Sequence, residues 1–222
     1  MQILDTVEQE TGANPQASVI WLHGLGADGN DFASITPELG LAKHPAVRFV
    51  FPHAPIRAVT INSGMRMRAW YDIVAADLNN RADIAGVQQS QREIDALIAR
   101  EHDRGVPAAR IVLAGFSQGG VIALHAGLRY PDRLAGIMAL STYVVQADKL
   151  PTEIAAANRD VPIFMAHGTA DPVVRHDWGD ASRRALVAAG CQVEWHSYRM
   201  EHSLCLEEIR DIAAWLGRVL RV

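Results

Sequence analysis

The sequence predicts an α/β fold, with a doubly wound, mostly parallel sheet that carries helices on both faces. Apolar runs suited to buried strands recur along the chain, and stretches with helical spacing of apolar residues lie between most of them. Repeated strand–helix–strand crossovers build a parallel sheet of this kind. The six predicted strands are residues 17–23, 47–51, 111–114, 134–140, 161–167 and 193–198.

The predicted helices are bounded by recognisable start and stop signals. Residues 81–104 place their apolar side chains on one face, with Asn80 as the predicted N-cap. A helix over 120–128 follows the third strand, and a helix over 176–189 ends at Gly190. The last helix spaces its apolar residues at helical intervals up to Leu220. No repeat or linker interrupts this order, so residues 1–222 are interpreted as a single domain.

Two irregular stretches, residues 52–78 and 141–160, interrupt the alternation of strands and helices. Long loops in compact domains are often functional, so these stretches are expected to form walls of a pocket. The alternative is that the aromatic and methionine side chains of the first stretch belong to the core. Neither stretch is long enough for a separate cap domain, which predicts a shallow, open site.

Composition and charge exclude several function classes. The 222 residues are 49% hydrophobic and carry a net charge of −4, which provides no basic field for nucleic acid. No apolar run reaches the roughly 18 residues of a membrane-spanning helix, so no stable membrane insertion is expected. The N-terminus lacks the cationic segment followed by an apolar segment that forms an export signal, so the expected compartment is cytoplasmic. Cys191 and Cys205 are then expected to be buried thiols.

The motif Gly115-Phe116-Ser117-Gln118-Gly119 lies between a predicted strand and a predicted helix. A strand-to-helix turn this tight requires glycine two residues before and two residues after the serine, because a Cβ would collide with neighbouring backbone. Such a turn raises the serine hydroxyl above the sheet at a helix N-terminus, where developing negative charge is favoured. We therefore predict that Ser117 is a nucleophile.

A serine nucleophile needs a base and an orienting acid, and in sheets of this type both follow the serine in the chain. Asp171 lies in the segment that follows the strand 161–167, and His202 lies between the last strand and the last helix. Both therefore occupy strand carboxyl ends, where the side chains of an active site gather. His125 and His167 are interpreted instead as packed, hydrogen-bonded structural residues.

The loop after the first predicted strand is rich in glycine and begins at His23. The backbone N–H of Leu25 in this loop and that of Gln118, directly after the serine, are predicted to form an oxyanion hole. The same loop spells Gly-x-Gly-x-x-Gly over residues 24–29, a dinucleotide-binding pattern. Two observations count against that alternative. Asp28 would place a carboxylate beside the pyrophosphate, and no Asp or Glu ends strand 47–51 to hold the ribose.

These motifs resemble a known family. The segments that carry the resemblance are His23-Gly-Leu-Gly-Ala-Asp-Gly-Asn-Asp31, Phe51-Pro-His-Ala-Pro55, Met67-Arg-Ala-Trp-Tyr-Asp-Ile73, Gly115-Phe-Ser-Gln-Gly119, His167-Gly-Thr-Ala-Asp-Pro-Val173 and Glu201-His202. The chain resembles the small bacterial carboxylesterases related to acyl-protein thioesterases and lysophospholipases, which form a branch of the α/β-hydrolase fold without a cap domain.

The resemblance implies a Ser117–Asp171–His202 triad, an oxyanion hole at Leu25 and Gln118, and no cofactor or metal. It also implies hydrolysis of short- to medium-chain carboxylic esters, small-molecule ester substrates, and the homodimer that is frequent in this family. The alternatives are a thioesterase or lysophospholipase with the same triad, or a binding protein on a hydrolase scaffold. Glu201 departs from the glycine that many members carry before the histidine, and it could act on His202 only if it points inward.

Overall fold

The protein folds around one seven-stranded sheet. The structure, a computed structural model, describes residues 3–41, 45–75, 77 and 82–222. Its strands are β1 (Thr6–Glu10), β2 (Ala17–Leu22), β3 (Val47–Pro52), β4 (Ile56–Val59), β5 (Met65–Arg68), β6 (Ile111–Phe116), β7 (Gly136–Leu140), β8 (Ile163–Gly168) and β9 (Val193–Tyr198). Its α-helices are α1 (Ile84–Asp103), α2 (Gln118–Arg129), α3 (Leu150–Glu153), α4 (His176–Ala188) and α5 (Leu206–Leu220).

The strand order in the main sheet is β1-β3-β2-β6-β7-β8-β9. Only β1 pairs antiparallel, with β3, and the remaining neighbours are parallel. The predicted doubly wound, mostly parallel sheet is therefore confirmed, and all six predicted strands are present. Strand β1 is not predicted from the sequence, because its polar and charged residues form no apolar run; such a composition suits an edge strand with a single partner.

The core lies on both faces of the sheet, because successive side chains of a strand point to opposite sides. Along β2, Ile20 and Leu22 join the cluster that contains the inner faces of α1, α2 and α4. Val19 and Trp21 join the opposite cluster, which contains α5 and the 3-10 turn Ala33–Leu39. The carboxyl ends of the central parallel strands consequently share one edge of the sheet, with helices packed on either side.

Helix α1 begins later than the sequence predicted. The predicted N-cap Asn80 and the predicted first residue Arg81 lie outside the described residues. Ala82 forms an isolated antiparallel bridge with Ile73, and Asp83 has extended backbone angles. Ala82 and Asp83 are therefore extended, and the helix starts at Ile84.

The stretch 52–78, expected to be irregular, contains the hairpin β4–β5 and then a buried segment; Leu78 lies outside the described residues. Trp70 and Tyr71 are fully buried in the core, whereas Met65 is exposed. The core alternative is thus correct for the two aromatic residues. The second irregular stretch contains the short helix α3 and 3-10 turns. Among the described residues, no helix is long and apolar enough to cross a membrane.

Candidate active site

Ser117 lies at a strained turn between β6 and α2, as the motif predicted. Its backbone angles are φ 54° and ψ −119°, a conformation that side-chain-bearing residues rarely adopt. A Cβ on Gly115 would lie 2.3 Å from the carbonyl of Gly119. A Cβ on Gly119 would lie 2.4 Å from the carbonyl oxygen of Leu22. Glycine at both positions lets α2 start directly above the end of the sheet.

The turn is attached to the neighbouring strand by hydrogen bonds. The Ser117 N–H donates to the carbonyl of Leu140 at the end of β7, at 2.8 Å. The hydroxyl of Thr142 donates to the carbonyl of Ser117 at 2.6 Å. These bonds satisfy the backbone groups of Ser117 while its side chain remains at the carboxyl edge of the sheet, where the residue is 9% exposed.

Asp171 and His202 form the hydrogen bond expected of an acid–base pair. Asp171 lies in the turn after β8, and its Oδ1 accepts from the N–H groups of Val173 and Val174, both at 2.8 Å. Its Oδ2 accepts from His202 Nδ1 at 2.6 Å. Burial alone would raise the pKa of Asp171, but the bonds from His202 and Val174 outweigh it and hold that pKa below its usual value. The ionised acid favours the tautomer with Nδ1–H, which leaves Nε2 of His202 as the basic nitrogen.

The His202 imidazole lies beside the turn that carries Ser117. The ring of Phe116 lies against the His202 imidazole, with 4.6 Å between centroids. Within the described part of the chain, no hydrogen bond joins Ser117 Oγ to His202. Catalytic hydrogen bonds commonly tighten only when substrate is bound. The structure thus forms the acid–base pair and brings the imidazole to the side of the nucleophile turn.

The two predicted oxyanion donors remain available for an acceptor. The Leu25 and Gln118 N–H groups donate to no acceptor among the described residues, whereas neighbouring groups in the loop do. The N–H of Gly26 donates to the backbone carbonyl of Arg68 at 2.9 Å, and the N–H of Ala27 donates to the carbonyl of Gly24 at 3.3 Å. Gln118 is the first residue of α2, so its N–H is one of those that a helix cannot satisfy internally.

His23 is a buried structural residue at the start of the same loop. Its Nε2 accepts from the N–H of Ala54 at 3.1 Å, and its Nδ1 donates to the carbonyl of Gly24 at 2.7 Å. Burial lowers the pKa of His23 to about 4, so the ring is neutral near pH 7. The loop motif alone does not predict this role of His23, which is to tie the loop to the chain after β3.

The dinucleotide alternative loses its structural basis. The loop 24–29 is followed by the 3-10 turn Ala33–Leu39, which contains Pro37, and no α-helix begins there to receive a pyrophosphate. A Cβ on Gly29 would lie 2.4 Å from the carbonyl oxygen of Phe51, so this glycine packs against β3. Among the described residues, no group of three His, Cys, Asp or Glu side chains could hold a metal ion.

A groove of about 580 Å³ opens beside the imidazole of His202. Its wall is mostly apolar, and Asp31 and Glu38 add carboxylates to it. The apolar lining residues are Phe32, Ile35, Phe116, Leu204 and Ile209. This groove adjoins the candidate base and can accept an apolar group that extends from the reacting centre.

The structure also locates three further residues that the sequence singles out, His167, His125 and Glu201. His167 is buried, and its Nε2 donates to the carbonyl of Val174 at 2.8 Å, as a structural residue should. His125 is also buried, but its Nδ1 has no hydrogen-bond partner within the described chain, contrary to expectation. Burial lowers the pKa of His125 to about 4, so the unpartnered ring is neutral. Glu201 is exposed and makes no ion pair with His202 among the described residues.

The cysteine expectation holds for only one of the two thiols. Both Cys191 and Cys205 are free, but only Cys191 is fully buried. Cys205 directly precedes α5 and is partly exposed.

The chain is similar to known proteins over almost its whole length. A model of the phospholipase/carboxylesterase family matches residues 5–220. The chain is 41% identical to acyl-protein thioesterase 1 of Mycosarcoma maydis, with 99% of each chain covered. It is 42% identical to the Yarrowia lipolytica protein of the same name, with 90% of each covered.

Solved structures agree with these relatives. Arabidopsis thaliana SOBER1 superposes with a TM-score of 0.86 at 29% identity, covering 92% of this chain and 99% of that one. Zea mays acyl-protein thioesterase 2 has a TM-score of 0.84 at 27% identity, covering 97% and 99%. The nucleophile turn, the acid–base pair and these similarities agree, and the chain belongs to the phospholipase/carboxylesterase family of serine hydrolases with the α/β-hydrolase fold.

Proposed function

We propose that this protein hydrolyses acyl thioesters, and more slowly the matching oxygen esters, through an acyl-enzyme on Ser117. The single observation that carries the proposal is the 2.6 Å hydrogen bond between Asp171 and His202, beside a strained serine turn. A buried, ionised acid on Nδ1 makes Nε2 of the imidazole a base, and the turn presents the hydroxyl that such a base activates.

The chemistry follows from these positions in two steps. His202 Nε2 accepts the hydroxyl proton while Ser117 Oγ bonds to the carbonyl carbon, and the N–H groups of Leu25 and Gln118 donate to the oxyanion. The carbon–sulfur or carbon–oxygen bond then breaks, and the leaving group takes the proton from the imidazolium. Water repeats the sequence on the acyl-enzyme, releases the carboxylic acid and restores the serine.

The thioester is proposed as the preferred substrate because of the relatives. Proteins that are 38–42% identical over 90% or more of this chain are named acyl-protein thioesterases. This favours the thioesterase alternative over the carboxylesterase reading that the sequence analysis put first. The family description includes carboxylesterases and phospholipases, so a simple ester and a lysolipid are the substrates to compare.

The experiment compares the wild-type protein with Ser117→Ala on matched substrates. The substrates are an S-acylated cysteine peptide, the same peptide O-acylated on serine, p-nitrophenyl butyrate and lysophosphatidylcholine. We expect the highest kcat/KM on the thioester and a loss of about 10⁴-fold or more on every substrate in Ser117→Ala. A fluorophosphonate probe should label the wild type and leave Ser117→Ala unlabelled.

Ser63→Ala is the matched control, because Ser63 is exposed after the turn that follows β4. It should keep wild-type rates and labelling. If Ser117→Ala retained a substantial part of the activity, the nucleophile assignment would be wrong. If the O-acyl peptide had the higher kcat/KM, the protein would be a carboxylesterase with incidental thioesterase activity.

A further inference from the structure

We propose that the side chains of Gln118, Trp70 and His23 form a brace that positions the two oxyanion donors relative to each other. The brace consists of Gln118, Trp70 and His23, and the proposal rests on the serine hydrolase mechanism described above. Its members do not touch the reacting atoms through their side chains. They act as positioning residues, because Gln118 carries one donor on its own backbone and the side chains of Trp70 and His23 are hydrogen-bonded to the loop that carries the other.

One end of the brace is the carboxamide of Gln118. Its Oε1 accepts from the N–H of Trp70 at 2.8 Å, and its Nε2 donates to the carbonyl of Tyr71 at 2.7 Å. The residue is almost completely buried. Both polar ends of one side chain are therefore committed to the backbone of residues 70–71, while the N–H of the same residue remains available to the oxyanion.

The other end of the brace is the indole of Trp70. Its Nε1 donates to the carbonyl of His23 at 2.9 Å, and its ring packs on the His23 imidazole with 5.3 Å between centroids. The imidazole in turn donates to the carbonyl of Gly24 at 2.7 Å. Leu25, the second donor, follows directly. The hydroxyl of Ser90 on α1 donates to the Trp70 carbonyl and holds this residue from behind.

This geometry matters because the two donors come from different elements. Gln118 begins α2, whereas Leu25 lies in the loop after β2. An oxyanion hole works only if both N–H groups lie about 2.7–3.1 Å from the developing charge, with a tolerance of roughly 0.5 Å. A continuous chain of hydrogen bonds from Gln118 through Trp70 to His23 sets that spacing before substrate binds.

The chain offers a matched control for the indole hydrogen bond. Trp21 lies on β2, two residues before His23, and is 1% exposed, compared with 0% for Trp70. Its indole Nε1 has no hydrogen-bond partner in the described residues. Replacing either tryptophan by phenylalanine removes similar buried surface, but only Trp70→Phe removes a bond of the brace.

The experiment measures kcat and KM of Trp70→Phe and Trp21→Phe on p-nitrophenyl butyrate, with circular dichroism to verify folding. Losing an oxyanion donor outright typically costs 10²- to 10³-fold in kcat, and loosening one should cost less. We expect Trp70→Phe to lower kcat about 10-fold with KM changed less than about 2-fold. Trp21→Phe should keep kcat within about 2-fold of wild type.

A second readout separates positioning from general structural damage. A trifluoromethyl ketone forms an oxyanion on the serine. Its inhibition constant should therefore rise in Trp70→Phe by the same factor as kcat/KM falls. If Trp70→Phe does not fold, Gln118→Met tests the brace from its other end and should give the same kcat-specific loss.

Wild-type kcat in Trp70→Phe, or an equal loss in Trp21→Phe, would overturn the brace while leaving the hydrolase assignment intact. Failure of the proposed function would look different, because the wild-type protein would then neither turn over esters nor react with a fluorophosphonate.

Discussion

Glu208 illustrates how one buried side chain sets a pH dependence. It lies in the first turn of α5 and is fully buried, and neither carboxyl oxygen makes a hydrogen bond of ordinary geometry within the described chain. Burial raises the pKa of Glu208 to about 8, although the nearby Cys205 N–H opposes the shift. The folded protein therefore holds this group protonated at pH values where the unfolded chain has already released the proton.

The sign of the effect follows from linkage. Between the unfolded value of 4.5 and the folded value of about 8, the folded state binds more protons, so the free energy of unfolding falls as pH rises. We expect Glu208→Gln to have a Tm near wild type at pH 4.5 and roughly 10 °C above it at pH 8. Thermal unfolding of both proteins across this range checks the prediction. A difference in Tm that does not change with pH would show that Glu208 ionises normally in the fold.

At the scale of elements, the nucleophile turn depends on the close approach of three backbone segments. The start of α2 passes so near the end of β2 that a Cβ on Gly119 would lie 2.4 Å from the Leu22 oxygen and 2.6 Å from the His23 oxygen. These are backbone atoms of the buried strand β2 and of the loop that follows it, and they cannot move aside independently. Any separation of α2 from β2 also separates the two proposed oxyanion donors.

We therefore expect Gly119→Ala to lower the free energy of unfolding by about 3 kcal/mol and to abolish turnover. Gly217→Ala is the control, because Gly217 lies within α5 and its Cβ would have only ordinary contact, at 3.5 Å from Val222. Alanine there should stabilise the protein by about 0.5–1 kcal/mol without changing kcat. Urea unfolding and steady-state kinetics measure both effects. Normal activity in Gly119→Ala would contradict the close packing of the turn.

At the scale of the whole molecule, a buried charge cluster joins the edge of the sheet to α1. Glu101 on α1 is fully buried and accepts from Ser18 of β2 at 3.0 Å and from Arg48 of β3 at 2.8 Å. It also accepts from Arg104 at 2.9 Å, and Arg104 bonds Glu8 of β1. One carboxylate thus connects a helix to two strands, and through Arg104 to a third.

Removing the charge of Glu101 should destabilise the fold, because Arg48 is then buried with less compensation. We expect Glu101→Gln to lower the free energy of unfolding by about 3 kcal/mol. Glu153→Gln is the control: Glu153 pairs with Arg129, but its side chain is 37% exposed, so the loss should stay below about 1 kcal/mol. Chemical denaturation of the two variants tests the contrast. Equal losses would mean that burial does not set the strength of these pairs.

Three elements of the fold differ in how far their local sequence encodes them. The buried strands were predictable because continuous apolar runs need no tertiary information, and β2 is buried along its whole length. The edge strand β1 was missed because its polar alternation becomes a strand only through pairing with β3. Helix α1 starts at Ile84 because Ala82, two residues earlier, pairs with Ile73 in an isolated bridge, and no local pattern encodes that bridge.

The sequence by itself determined the fold class and the order of a serine, an aspartate and a histidine at strand ends, because local glycine requirements and apolar runs are readable one segment at a time. Only the tertiary structure decided which side chains support them. Trp70 and the carboxamide of Gln118 lie 48 residues apart and meet because two separate stretches of chain converge beside the loop that follows β2. Contacts of this kind depend on the packed geometry of the whole chain, and no spacing within one segment predicts them.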